Sequence, residues 1–470
     1  MRKVDLESLK NGTITDCDYV SGDGELLVSK GATISDSLLQ ALKRRHIDTI
    51  YAKEEDEEIK RLLSHEFEQL DELKFDENDP LFDAPVANAK SWLNSPKPKA
   101  LLLPEFKDIK QGKEGLMQLL QSKRADDLDN EIKEGRVPET PVGPSLKSNI
   151  TELMPADRTE GYKSQIKQSY QGALADTTRS MSSLADGTKI DGAVFRTAVD
   201  GFVTLFATDR NLMLNLVSVK VPAGEDFLYS HSFNVMVLSI AIATALGYSR
   251  SQIVEIGIGA LLHDAGMLLL PKEIRLKKGK LDSSEWFEIQ KHPILGLHLL
   301  EKIVHLPHIV SFMAYQCHER ENGKGYPKQR SSRFVHRFAK IIQVADIYEA
   351  LSSPRPYRPA YMPYTAMEML IKMTRQGLVP GDVIKALLEY LSIFPVGSIV
   401  ELSDQRIGKV IKANATSFAK AVVSIIGIDK NTPLPKEKMY VEDLAKNTTV
   451  QIVKAYDFTT IKSCDLMDGF

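Results

Sequence analysis

Cysteine is scarce in this chain. Three residues, Cys17, Cys317 and Cys464, are spread over 470 positions. Their odd number and wide spacing exclude a disulfide framework and favour a reducing, cytoplasmic compartment. Net charge is nearly absent as well: 60 basic residues against 63 acidic ones leave −3. No global field is present to recruit a nucleic-acid polymer or an anionic membrane. No uninterrupted apolar run reaches the 18 or so residues of a membrane span. The best stretch, Phe233 to Leu246, is interrupted by Asn234, Ser239 and Thr244. The opening MRKVDLESLKNG lacks the apolar segment of a signal peptide. At 43% hydrophobic and 26% charged, the composition is that of a globular protein with a sizeable core.

Periodicity divides the chain into four regions. Residues 1–53 read as a small α+β accessory module. Thr13–Val20 is β-prone, Asp23-Gly24 signals a hairpin, and Ser35 can cap a helix striped by Leu38, Leu39 and Leu42. Ile47–Tyr51 reads as a closing strand. Residues 54–157 form a charged, proline-containing linker region with short amphipathic helices such as GLMQLLQSK. Residues 158–393 are helical almost throughout. Their first helix, Lys163–Met181, is polar and suits a connecting or dimerising role, so a homodimer is one expectation. From 394 to 456 the pattern alternates around a turn at Asp404-Gln405 and predicts a β-rich extension. The expected fold class is mainly α: a helical core, an α+β module before it and a β-rich extension after it.

Histidine is concentrated. Eight of the ten lie between residues 231 and 336. Taken singly, His298, His305, His308 and His336 are better read as ordinary structural residues. His263-Asp264 is different, because it ends the apolar run EIGIGALLHDAG. A buried imidazole–carboxylate pair is costly unless something compensates, and a metal ion would. His231, His292 (followed by the helix-opening Pro293), Cys317, His318 and Asp346 supply further donors. Imidazole, carboxylate and a thiol suit iron or manganese first and zinc next, rather than calcium. Two ions sharing Asp264 would activate a hydroxide and polarise a phosphoryl oxygen.

These residues, in this order, resemble the HD-GYP family, bacterial metal-dependent phosphohydrolases that degrade cyclic di-GMP. The resemblance covers residues 190 to 390 and rests on HS at His231, LLHDAG at His263, HPILG at His292, HERENGKGYP at His318 and ADIYEALSSPRPYR at Asp346. It implies an all-helical HD-type core and the metal ligands His231, His263, Asp264, His292, His318 and Asp346. Cys317, standing where the family has a histidine, joins them as a further donor. His263 and Asp264 are the implied catalytic pair, and Tyr326, Arg355 and Arg358 the implied substrate contacts. Two guanidinium forks suit a phosphodiester.

The sequence departs from the family pattern at several places. Met267 replaces a lysine after the HD pair, and Asn322 replaces an acidic residue. Phe227 stands where some members carry a carboxylate for a third metal, so at most two ions are expected. The implied function is two-metal hydrolysis of a cyclic dinucleotide, weakened by these departures. The alternative is a catalytically degenerate cyclic di-GMP receptor, or a module that docks onto other signalling proteins without turnover.

Overall fold

The computed structural model describes, with short gaps, residues 2–53, 106–150, 159–216 and 227–456. Two units emerge, residues 1–72 and 73–470.

In the first unit a four-stranded antiparallel sheet combines β1 (Arg2–Asp5), β2 (Asp18–Val20), β3 (Leu26–Val28) and β4 (Thr49–Lys53) in the order β1-β4-β2-β3. Helix α1 (Asp36–Arg44) belongs to the same unit, whose core is Leu6, Tyr19, Val28, Ile34, Leu42 and Ile50. Strand β1, unmarked in the sequence pattern, pairs Val4 with Ile50. The Asp23-Gly24 turn lies outside the described residues.

The second unit opens with α2 (Gly112–Leu120) and α3 (Lys123–Lys133). Part of the region read as linker is therefore a packed helical hairpin, with Leu116, Leu119, Leu128 and Ile132 buried. The long α4 (Glu160–Ala185) follows, then the short β5 (Ile190–Asp191) and α5 (Ala193–Leu216). Next come α6 (Phe227–Ala245), α7 (Arg250–Leu262), α8 (Lys272–Arg275), α9 (Ser283–Ile289) and α10 (His292–Leu300). After β6 (Ile303–Val304), which pairs in parallel with β5, the chain continues with α11 (Ile309–Gln316), α12 (Arg337–Ser352), α13 (Pro363–Arg375) and α14 (Gly381–Leu391).

Helices α6 and α12 are buried on nearly all faces, as a helix apolar all round must be. By length and hydropathy, Phe227–Ala245 and the stretch Arg250–Leu269 would also suit a bilayer, but 83% and 100% of those windows are buried inside the protein. Their apolar surface forms the core. Helix α7 starts at a capping box in which Ser249 and Gln252 satisfy each other's backbone amides. It ends at His263.

The C-terminal region is a sheet ordered β10-β9-β8-β7-β12, with a further strand β11 on β9. Its strands are β7 (Ile399–Leu402), β8 (Ile407–Lys412), β9 (Val422–Asp429), β10 (Thr432–Pro433), β11 (Tyr440–Asp443) and β12 (Ile452–Tyr456). The turn at Asp404-Gln405 joins β7 to β8, and Gln405 there has φ 71°. The mainly α architecture with a β-rich extension is thus the one observed.

Candidate metal centre

Five segments deliver the donors. His231 stands one turn into α6. His263 and Asp264 stand where α7 gives way to a 3₁₀ turn at Ala265–Leu269, and His292 opens α10. His318 follows α11, and Asp346 lies on α12. All six are at least nine-tenths buried. Close backbone approach brings the segments together. A Cβ on Gly266 would lie 2.0 Å from the His292 carbonyl oxygen, so only glycine lets the turn after Asp264 rest on α10. A Cβ on Gly325 would lie 2.4 Å from the Glu319 and Arg320 backbone, which closes the loop behind His318.

The donor atoms converge on Asp264. Its Oδ1 lies 3.1 Å from His292 Nε2, 3.3 Å from His318 Nε2 and 3.4 Å from His263 Nε2; its Oδ2 lies 3.7 Å from His231 Nε2. Asp346 Oδ1 lies 3.2 Å from His231 Nε2 and 3.9 Å from His263 Nε2. Three groupings have donor atoms close enough to share an ion: His231/His263/Asp264, His263/His318/Asp346 and Asp264/His292/His318. Asp264 belongs to two of them.

The imidazoles are turned by their other nitrogens. His263 Nδ1 donates to the Ala260 carbonyl at 2.7 Å, His292 Nδ1 donates to the Ile289 carbonyl at 2.8 Å, and His231 Nδ1 donates to Glu349 Oε2. Each tautomer is thereby fixed with the Nε2 lone pair facing inward, the arrangement seen around bound metals. His263 Nε2 is buried with no hydrogen-bond partner. His292 Nε2 and His318 Nε2 face each other at 2.9 Å. Inward lone pairs, one of them orphaned and two opposed, fit a cation between them. The residues present fit one or two transition ions by this test.

Electrostatics agree. Burial alone would raise the Asp264 carboxyl, but His263 and His292 beside it, with hydrogen bonds from His292 and His318, hold it well below the usual carboxylate range. Asp346 is likewise held down against burial by His231 and His318. Burial pushes His318 down to about 4. His231 goes the other way: burial and Arg355 oppose its charge, yet Glu349 and Asp346 together outweigh them and lift the imidazole to about 9.

Other expected residues are placed differently. Cys317 Sγ points back at the Ala314 carbonyl (3.6 Å) and joins none of the three donor groupings. Burial, with Asp264 and Asp346 nearby, pushes its thiol well up. Helix geometry explains this: Cys317 caps α11, and its side chain lies back over the preceding turn. Arg358 is also diverted. Its guanidinium donates to the Ala350 and Leu351 carbonyls and sits 4.5 Å from the Tyr361 ring, covering the end of α12. Arg355 does reach the centre. Its Nη2 lies 3.0 Å from Glu349 Oε2 and 3.2 Å from His231 Nδ1, over the Phe227 ring at 5.0 Å.

Tyr326 stacks on His318 (4.9 Å between centroids, 5° between planes) and meets Trp286 edge-on. Asn322 is exposed and its Oδ1 accepts the Lys324 amide, a turn-forming duty an aspartate would share. Met267 is partly exposed on the turn after Asp264. The other four histidines between residues 231 and 336 have structural duties: His308 pairs with Glu131 at 2.7 Å, His336 caps α12, His305 faces Asp191 and His298 abuts Phe106.

Sequence reasoning missed Glu349, which accepts from His231, Asn234, Ser353 and Arg355 at once. Its spacing three residues after Asp346 on one helix was the available signal. It also missed Arg320, whose charge acts on Tyr326 and Asp346. A groove of about 900 Å³ runs between α4 and α5, but its lining contains no cation and none of the donors, so it offers a phosphate nothing.

Residues 213–380 match the family model of the HD domain, and residues 399–464 that of a KOW domain associated with the HD domain. The chain is 29% identical over 253 residues to a cyclic di-GMP phosphodiesterase of Pseudomonas aeruginosa, covering 53% of this chain and 60% of that protein. It is 32% identical to a 3'3'-cGAMP-specific phosphodiesterase of Vibrio cholerae over 37% of this chain and 38% of that one. It is 34% identical to a cyclic di-GMP phosphodiesterase response regulator of Xanthomonas campestris over 27% of this chain and 34% of that protein. The matches thus span less than two thirds of each of these relatives.

Proposed function

We propose that this chain, whose residues 213–380 match the HD domain, is a member of the HD-GYP family and a metal-dependent phosphohydrolase that opens the phosphodiester of a cyclic dinucleotide. Cyclic di-GMP or a mixed relative is the substrate, since relatives named for each are among the matches. The observation that carries the reading is the set of inward Nε2 atoms around Asp264, with His263 Nε2 orphaned and His292 and His318 opposed at 2.9 Å. A cytoplasmic location is part of this proposal, because the proposed substrate is a soluble intracellular nucleotide.

The ligands in this reading are His231, His263, Asp264, His292, His318 and Asp346, and Cys317 leaves the set. These residues would hold two transition ions, iron or manganese ahead of zinc, which when bound would supply Lewis acidity toward a water and a phosphoryl oxygen. The chain's own residues do the rest. Asp264 holds a negative charge shared by both ion positions. Glu349 orients His231 and keeps Arg355 beside it, where the guanidinium can meet a phosphate oxygen. Tyr326 and the half-exposed Trp286 form an aromatic wall on the His292/His318 side, a surface on which a base can stack.

A second reading is supported by Met267 and Arg358: a receptor for the same nucleotide without turnover, since two cations that would contact phosphate are absent or committed elsewhere. One experiment separates them. Anaerobically purified protein is analysed for metal and the same sample is assayed with cyclic di-GMP and its mixed relative. Metal-dependent release of linear product supports the enzyme. Two bound ions and nucleotide binding without product support the receptor, and a metal-free protein that binds neither nucleotide refutes both.

A further inference from the structure

Two site histidines are braced from outside the region that matches the HD domain. Lys291, the residue before His292, is 1% exposed. Its Nζ lies 2.8 Å from both Glu288 oxygens and donates at 2.8 Å to the Lys110 carbonyl, while the Gly112 amide donates to the same Glu288. On the other side stands Asp129 of α3, 5% exposed. One of its oxygens lies 2.7 Å from Lys328 Nζ and the other accepts from Arg330 Nη2. Lys328 and Arg330 close the loop that carries His318 and Tyr326. Their backbone amides donate to the buried Glu319 at 2.9 and 2.8 Å. Each of the two residues is therefore held twice, through its amide by Glu319 next to His318 and through its side chain by Asp129.

Buried charges are tolerated only when paired, so these ties are exacting in geometry. They fall on α9, α10 and the loop after α11, the elements of His292 and His318. They do not fall on α6, α7 or α12, which carry His231, His263 and Asp346. The Asp264/His292/His318 grouping thus has two braced histidines, whereas His231/His263/Asp264 has none.

We propose that the α2–α3 hairpin is a clamp that positions His292 and His318 for the second ion, with Asp129 as its positioning residue. The proposal rests on the metal-site reading above. An event that lifts the hairpin from the core would loosen that ion and leave the His231/His263/Asp264 position occupied. Residues 110–133 precede the region that matches the HD domain, so the brace comes from outside it.

The test uses the full chain with Asp129→Asn, which keeps side-chain volume and removes the charge. Anaerobic calorimetric titration with Mn²⁺ reads the two binding steps, and hydrogen exchange on the metal-free protein reads the Lys328 and Arg330 amides. One step should weaken about tenfold, in line with outer-shell substitutions at metal sites, while the other holds. The two amides should exchange faster. Lys328→Met, which keeps the amide bond to Glu319, carries the same expectation should Asp129→Asn fail to fold. Wild-type protein that takes up fewer than two ions sinks the clamp and the two-ion reading together. Two wild-type steps that the variants leave unchanged, or weaken alike, sink the clamp alone.

Discussion

Replacing Glu349 with glutamine sets two effects against each other at His231. Burial opposes a charge on that imidazole, yet the Glu349 carboxylate, with a smaller contribution from Asp346, raises it to about 9. A group titrating near 9 is neutral in about one molecule in a hundred at pH 7, so a proton competes strongly with any ion at Nε2. Glutamine removes that charge and leaves burial and Arg355 to push His231 down again, relieving most of that competition. It also loosens the ring and leaves Arg355, whose side chain is 8% exposed, without its carboxylate. Loss of such an orienting partner costs about 10–100-fold in metal affinity. At pH 7 the gain and the loss nearly offset, so the variant should bind Mn²⁺ as well as wild type or up to about tenfold better. At pH 9 the competition has fallen to about twofold in wild type and is gone from the variant, which should be about 10–100-fold weaker. The sign follows from the raised value: wild-type affinity climbs as pH rises from 7 to 9, while the variant's stays flat. Anaerobic titration calorimetry at three pH values reads both curves. Parallel curves, or a wild-type affinity independent of pH, would refute His231 as an Nε2 ligand oriented by Glu349.

Asp264→Asn should empty both ion positions, because this carboxylate joins two of the three donor groupings; unchanged metal stoichiometry by elemental analysis contradicts the assignment. Cys317 should alkylate slowly whether or not a chelator is present, since its sulfur faces the Ala314 carbonyl and its thiol is pushed up by burial; a burst of labelling on metal removal would make it a ligand after all. Met267→Lys should raise hydrolysis by about 10²–10³, the usual worth of one electrostatic contact to developing phosphoryl charge, and a null effect in a metal-loaded sample favours the receptor reading.

The residues that gather around Asp264 were legible in the sequence because each sits in a short motif whose local structure is set by its neighbours. The apolar run before His263 makes a buried helix that must end there, and Pro293 opens the helix that carries His292. The alternation around Asp404-Gln405 forces strands whatever lies nearby. Other decisions depend on contacts between segments far apart in the chain. Cys317 and His318 are adjacent, yet only the packing of α11 decides which of them faces Asp264. Arg355 and Arg358 look equivalent, and the end of α12 takes one for its own carbonyls while Glu349 holds the other at the site. Residues 110–133 read as linker because their amphipathic pieces are short and flanked by prolines. Their burial comes from Glu288, Lys291, Lys328 and Arg330, which lie some 160 to 220 positions later. Periodicity reports a segment's preference for a face, and only tertiary structure supplies the charge that waits on the other side of it.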